Sequence, residues 1–203
     1  MKNDCRLLIF VRNPILGKVK TRLAKDIGEE NARLVYNELL ARTKEIVLPL
    51  SIQKQVCYDS YVDYFDLWEN DVFLKTLQKG HTLGERMENA FCDSFAEGCR
   101  RVVIIGSDCW ELTTDILQEA FQLLAQKDVV IGKAADGGYY LLGLSQHRPA
   151  LFRGKHWSTP LVFPQTMSDI TSLSLTYSLL PTLSDIDTLD DLMRYKVFEK
   201  FWR

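Results

Sequence analysis

The chain has no C-x-x-C pair, no H-E-x-x-H and no other closely spaced histidine pair, so a zinc site of ordinary spacing is excluded. Its five cysteines (Cys5, Cys57, Cys92, Cys99 and Cys109) are an odd number without a disulfide framework, and they read as free thiols of a reducing cytoplasm. No apolar run approaches the roughly 18–20 residues that cross a bilayer. The N-terminal run Leu7 to Val11 is short and charge-flanked, unlike the apolar core of a signal peptide. A basic excess is missing as well. Against 25 Lys and Arg stand 27 Asp and Glu, a net charge of −2, which argues against a broad contact with nucleic-acid backbone.

What remains is the composition of an ordinary globular protein: 203 residues, 46% hydrophobic and 26% charged. A chain of this length buries roughly 70% of its unfolded surface around one core, and without linker, repeat or low-complexity tract the expectation is a single domain over residues 1–203. Apolar strand-like runs alternate with helix-period segments. RLLIFV (6–11) and VVIIG (102–106) read as doubly covered strands, and DVVIG (128–132) and YYLLGL (139–144) follow with a glycine turn between them. Strands are also expected at 55–58 and 73–78. Helical periodicity runs from 21 to about 48 with a break at 26–30. It returns at 83–97, with Leu83, Met87, Ala90, Phe91, Ser94 and Phe95 on one face. A Thr113 or Thr114 cap opens a helix to about 125. A last helix is expected over 187–202, its inner side formed by Leu189, Leu192, Met193, Val197 and Phe201. Phe198, Phe201 and Trp202 are read as closing the core, with a homodimer contact as the alternative. This alternation predicts an α/β/α sandwich around a mainly parallel sheet.

Five places carry chemistry-bearing residues. RNPILGKVKTR (12–22) follows the first strand, where ligands of open α/β sheets bind, and it gathers Arg12, Lys18, Lys20 and Arg22 beside Gly17 and Thr21. A polyphosphate suits that arrangement. It is no P-loop, because Arg12 and Val19 stand where glycine and Ser or Thr are required. Ser107 and Asp108 leave the VVIIG strand into the same crevice, and a carboxylate there suits a divalent cation. Asp136-Gly137-Gly138-Tyr139 is first a tight turn and also a place where backbone approaches a ligand. Asp185-Ile-Asp187-Thr188 precedes the last helix, either as ordinary capping or as a second metal carboxylate. Finally, Gly84 and Arg86 open the 83–97 helix, Arg86 being free to bind an anion or to pair with Glu85 or Asp93.

Taken in order, the segments FVRNPxxGxVKTRL (10–23), QKGxxLGERM (78–87), IGSDC (105–109), DGGYYLLG (136–143), HWST (156–159) and DIDTLDDL (185–192) resemble a bacterial glycosyltransferase-like family. That family belongs to the nucleotide-diphospho-sugar transferase superfamily and is often labelled a domain of unknown function. The resemblance implies a Rossmann-like glycosyltransferase-A type sandwich that binds nucleotide with Mg²⁺ or Mn²⁺. It implies phosphate binding by Gly17, Lys20, Thr21 and Arg22, with Arg12, Lys18, Gly84, Arg86 and Ser107 in the nucleotide site. The metal would lie on Asp108 and Asp187, with Lys20, Arg22 and Asp108 as the catalytic set. An acceptor would enter beside Asp136, Gly137, Gly138, Tyr139, His156 and Trp157. FVRNP replaces the glycine-rich opening of the superfamily's nucleotidyltransferases, which leaves glycosyl transfer from a nucleotide-sugar and nucleotidyl transfer from a nucleoside triphosphate both open. A non-catalytic nucleotide-binding module is the third reading.

Overall fold

The computed structural model describes residues 4–202. Strand β1 (Cys5–Val11) lies at the centre of the sheet, and Leu7, Leu8 and Ile9 are fully buried, as a run apolar on both faces requires. Two parallel strands flank it, β2 (Gln53–Tyr58) and, across the later chain, β4 (Arg101–Ile105). The short strand β3 (Leu74–Leu77) continues the parallel pairing outward from β2. On the other side β6 (Tyr139–Leu144) runs antiparallel to both β4 and β5 (Val129–Ala134), and β7 (Tyr177–Leu183) pairs parallel with β5. The order is β3-β2-β1-β4-β6-β5-β7. The carboxyl ends of six strands and the amino end of β6 therefore meet at one edge of the sheet, where the candidate loops emerge.

Alternation along the strands distributes the two faces. Leu7, Ile9, Val103 and Ile105 pack beneath α2 (Glu29–Val47) and α4 (Thr114–Leu123) through Val35, Leu39 and Leu117. Leu8, Val102, Ile104 and Leu142 pack beneath α3 (Leu83–Ala96) and α5 (Val162–Ser172) through Met87, Phe91 and Ile170. Helices on both faces make the α/β/α sandwich. A four-residue helix, α1 (Ala24–Ile27), precedes α2, with Gly28 at the expected break. Thr82 and Thr113 cap α3 and α4 by accepting hydrogen bonds from the amides of Glu85 and Ile116. Among the described residues no helix is long and apolar enough to cross a membrane.

Three expectations need correction. The single C-terminal helix is instead one turn, α6 (Leu189–Leu192), followed by a 3₁₀ segment over Lys196–Phe201. Three residues per turn align Tyr195, Phe198 and Phe201, whose rings succeed one another at 6.4 and 6.3 Å, so Met193 and Val197 are exposed. Phe198 and Phe201 do close the core. Leu83 is exposed rather than inward, because α3 turns Gly84, Met87, Phe91 and Ser94 to the sheet. Helix α5 and strand β7 stand where no element is expected. Pro164 is accommodated in the first turn of α5, and Pro181 lies on an edge strand, where a missing donor is tolerated.

Candidate functional site

The loop after β1 is held in place by two buried polar side chains. Tyr36, on α2, accepts a hydrogen bond from the Arg12 amide at 2.8 Å, donates to the Arg12 carbonyl at 3.3 Å, and meets the Ser107 hydroxyl at 3.1 Å. Burial and then the Asp108 charge push its pKa up to about 12, so it stays a neutral phenol. Asn13 ties the same loop to the turn after β2, accepting from the amides of Ser60 and Tyr61 and donating to the Tyr61 carbonyl at 3.0 Å. Gly17 (φ 71°) makes the loop's reversal, and a β-carbon there would stand 3.2 Å from the Glu29 carboxylate. Arg12, Lys18, Thr21 and Arg22 are exposed, with the Arg12 guanidinium donating to the Lys18 carbonyl at 3.5 Å.

Lys20 differs from its neighbours. Its backbone is left-handed (φ 47°) and its side chain is only 4% exposed. The ammonium sits 2.7 Å from Asp108 Oδ1 and 2.9 Å from Asp187 Oδ1. Burial alone would lower its pKa, but Asp108 and then Asp187 outweigh it and hold the ammonium above the ordinary lysine range. The two carboxylates are 43% and 40% exposed, so the centre opens to solvent on their side. Backbone also joins the two loops, the Ile186 amide donating to the Asp108 carbonyl at 3.0 Å. Thr188 and Asp191 form a capping box at α6, which frees the Asp187 side chain from capping. Arg22 approaches Asp187 Oδ2 at 3.9 Å. Asp185 is drawn in as well: burial, and next the Asp108 charge, push its pKa up to about 7.

A second group lies along the same edge. Gly137 packs on Pro160, with its carbonyl accepting from the Phe163 amide at 3.0 Å, so the 136–138 turn abuts the 156–160 segment. Asp136 accepts from the Gly138 amide at 2.9 Å, and its charge is felt at Asp185. The Tyr139 hydroxyl donates to Met87 Sδ at 3.8 Å. His156 is exposed, and its amide donates to Gln165. Trp157 covers Gly84, where a β-carbon would stand 2.4 Å from the indole Nε1, so the glycine is needed for this contact. Arg86 binds the preceding loop, donating to the Gly80 carbonyl and to Gln78, not to Glu85 or Asp93. Ser107 is buried with its hydroxyl on Tyr36. Tyr36, Asn13 and Asp185 were not singled out from sequence. Tyr36 sits on a regular apolar helix face that hides its role, while Asn13 and Asp185 lie inside motifs whose other residues drew the attention.

The motif order now has an independent counterpart. Residues 43–159 match the family described as an uncharacterized protein conserved in bacteria, DUF2064. The chain also shares 32% identity with a candidate nucleotide-diphospho-sugar transferase from Desulfovibrio desulfuricans G20, over 96% of this chain and 87% of that one, with a TM-score of 0.88. The protein belongs to the DUF2064 family. The DUF2064 match includes Asp108, Asp136 and Trp157, while Lys20 and Asp187 lie outside it. At lower identity the fold alone is shared. A 4-diphosphocytidyl-2C-methyl-D-erythritol synthase is 11% identical over 98% of this chain and 99% of its own, with a TM-score of 0.61. The inositol-1-phosphate CTP transferase of T. maritima is 12% identical over 96% and 93%, with a TM-score of 0.58. No curated protein matches the chain in sequence.

A groove of about 320 Å³ lies away from this centre, between α3 and the β2–β3 edge, lined by Gln55, Thr76, Lys79, Asn89 and Asp93. Its charged wall is already paired, Lys79 with Asp93 at 2.8 Å, and no candidate residue faces it. At the Lys20 centre, by contrast, charge of both signs meets an open face.

Proposed function

We propose that this chain is a transferase acting on a nucleotide-diphospho-sugar, with the nucleotide's phosphates bound at the loop after β1. One observation carries the reading: Lys20 from that loop joins Asp108 after β4 to Asp187 after β7, at the sheet edge where open α/β folds hold ligands. Arg12, Lys18 and Arg22, all exposed, supply the positive charge that a diphosphate needs. The 32% identical relative described as a candidate nucleotide-diphospho-sugar transferase supports the same class.

In sugar transfer the bond between the anomeric carbon and the diphosphate oxygen breaks. The electron pair leaves with the nucleoside diphosphate, while an acceptor oxygen forms the new bond to carbon. Charge then grows on the leaving phosphate, and cations fixed around it before the reaction lower the barrier. Asp136 and Tyr139 and the His156–Trp157 segment border the space left for an acceptor. Among the described residues no three His, Cys, Asp or Glu side chains gather as a metal site. Two carboxylates nevertheless fit Mg²⁺ or Mn²⁺, which takes one or two protein oxygens and completes its shell with phosphates and water. Bound by Asp108 and Asp187, such an ion would supply neutralisation of the diphosphate.

A second reading uses the same loop. Its three exposed cations, Arg12, Lys18 and Arg22, also suit a triphosphate, as in nucleotidyl transfer. Several proteins of the same fold are named for that chemistry. There an acceptor oxygen attacks the α-phosphorus and pyrophosphate leaves with the electrons of the bridging bond. Thermal shift with nucleoside triphosphates and nucleotide-sugars, each with and without Mg²⁺ or Mn²⁺, tests nucleotide binding. Product analysis then separates the two reactions: nucleoside diphosphate marks sugar transfer and pyrophosphate marks nucleotidyl transfer. Stabilisation by no member of the panel refutes both readings. Stabilisation without either product leaves a binding module and refutes catalysis.

A further inference from the structure

The carboxylate pair already contains a cation. Lys20 reaches it from beneath through a left-handed backbone that a side chain disfavours, and its buried ammonium takes Oδ1 of both acids at 2.7 and 2.9 Å. Two carboxylates and one ammonium leave a single net negative charge. Arg22 lies 3.9 Å from Asp187 Oδ2, and the Asp185 carboxyl is near enough to Asp108 to feel its charge. A bare divalent ion approaching the exposed carboxylates would have to share them with an ammonium held 2.7 and 2.9 Å from their oxygens, and so lie beside a fixed positive charge. A phosphate group changes that balance, because it offers the ammonium a new anionic partner while it ligates the metal.

We infer that Lys20 is a gate on the Asp108–Asp187 pair: the pair refuses a free divalent cation and accepts one only together with phosphate. The role of phosphate rests on the nucleotide reading above; the exclusion of the free ion rests on the ammonium's position alone. The residue thereby imposes an order of binding, with nucleotide first or metal and nucleotide together, and it keeps an open acidic centre from collecting metal between turnovers.

Mn²⁺ binding followed by electron paramagnetic resonance tests this. The wild type is compared with Lys20→Met and Lys20→Gln, with and without ATP, GTP, CTP, UTP and the corresponding diphosphates. Free Mn²⁺ should bind each variant at least about tenfold more tightly than it binds the wild type, since a unit positive charge has left the site. Equal affinity for free Mn²⁺ in variant and wild type overturns the gate. If either variant fails to fold, ¹⁵N resonances of the lysine ammonium groups in the wild type replace it. A protected Lys20 signal should ignore Mg²⁺ alone and move when Mg²⁺ and nucleotide are added together; a shift with Mg²⁺ alone overturns the gate. The two ideas fail separately. Tighter Mn²⁺ in the variants with no nucleotide effect keeps the gate's exclusion of free metal and removes the nucleotide reading. Nucleotide-dependent Mn²⁺ binding in the wild type with unchanged variants does the reverse.

Discussion

Replacing Tyr36 by Phe isolates the contact that holds the loop after β1. The phenol oxygen is 2.8 Å from the Arg12 amide and 3.1 Å from the Ser107 hydroxyl, all of it beneath a tyrosine that is 2% exposed. The ring of Phe fills the same space, so packing is kept and only the oxygen is lost. Leaving the part-buried Arg12 amide without its partner costs about 1–3 kcal/mol, and the Ser107 hydroxyl can turn to reduce its own share, so about 2 kcal/mol is expected. For a domain of this size each kcal/mol lowers Tm by about 2–4 °C, which places the loss at roughly 4–8 °C. Urea denaturation should move the midpoint at unchanged slope, because the surface exposed on unfolding is the same. Backbone amide exchange should rise in the loop of residues 12–23 and around Ser107, and not in α5. A variant within about 1 °C of the wild type, with unaltered exchange at Arg12, refutes the reasoning.

Other consequences are independent of the nucleotide. Gly84→Ala drives a methyl group to 2.4 Å from the Trp157 indole and 2.8 Å from the Phe152 carbonyl, so Trp157 must shift. A loss of about 1–3 kcal/mol and altered tryptophan fluorescence are expected, and a neutral substitution would contradict the contact. One thiol per chain, Cys92, should react promptly with a disulfide reagent at pH 8, and all five after denaturation. Burial holds the other thiols protonated, with Cys5 pushed up to about 11 and Cys57 and Cys109 to about 12. Prompt reaction of two or more would contradict this. Asp128 accepts from the Thr176 hydroxyl and amide and from Arg148, and those bonds hold its pKa below the usual carboxylate range. Its folded value lies under the unfolded value of about 3.9, so its stabilisation is present above that pH and is lost as the pH falls through the folded value. Asp128→Asn should therefore be less stable than the wild type at pH 7, with the gap closing below about pH 4; a gap independent of pH would contradict it.

Much of the fold was legible because its central strands are doubly covered. RLLIFV and VVIIG read as continuous apolar runs that admit no competing period, and the capping threonine at 113 marks where α4 begins. The C-terminal third was less legible. VFPQTMSDITS and YSLLPTL each contain a proline and mix polar with β-branched residues, so their structure comes from packing into the core beside Pro149–Phe152 and from pairing with β5 rather than from local pattern. Tyr195, Phe198 and Phe201 can be read at spacing three or within a helical stripe, and their mutual contacts, with Phe198 against Trp110, go with the tighter turn. The site shows the same division. That Lys20 and Asp108 leave carboxyl ends of strands follows from the alternation of elements; Asp187 follows β7, which the sequence pattern does not announce. That one lysine turns inward through a left-handed backbone and bridges both acids does not, because neighbouring Lys18 and Arg22 carry the same charge in the same loop and remain exposed.

The central claim is that the Lys20–Asp108–Asp187 centre is where nucleotide phosphates bind. Isothermal titration of the wild type and of folded Asp108→Asn with the Mg²⁺ complex of the most stabilising nucleotide tests it directly. The account predicts measurable binding to the wild type and at least about tenfold weaker binding to Asp108→Asn, the loss expected when one metal-facing charge is removed. Equal affinity in the two proteins would contradict it.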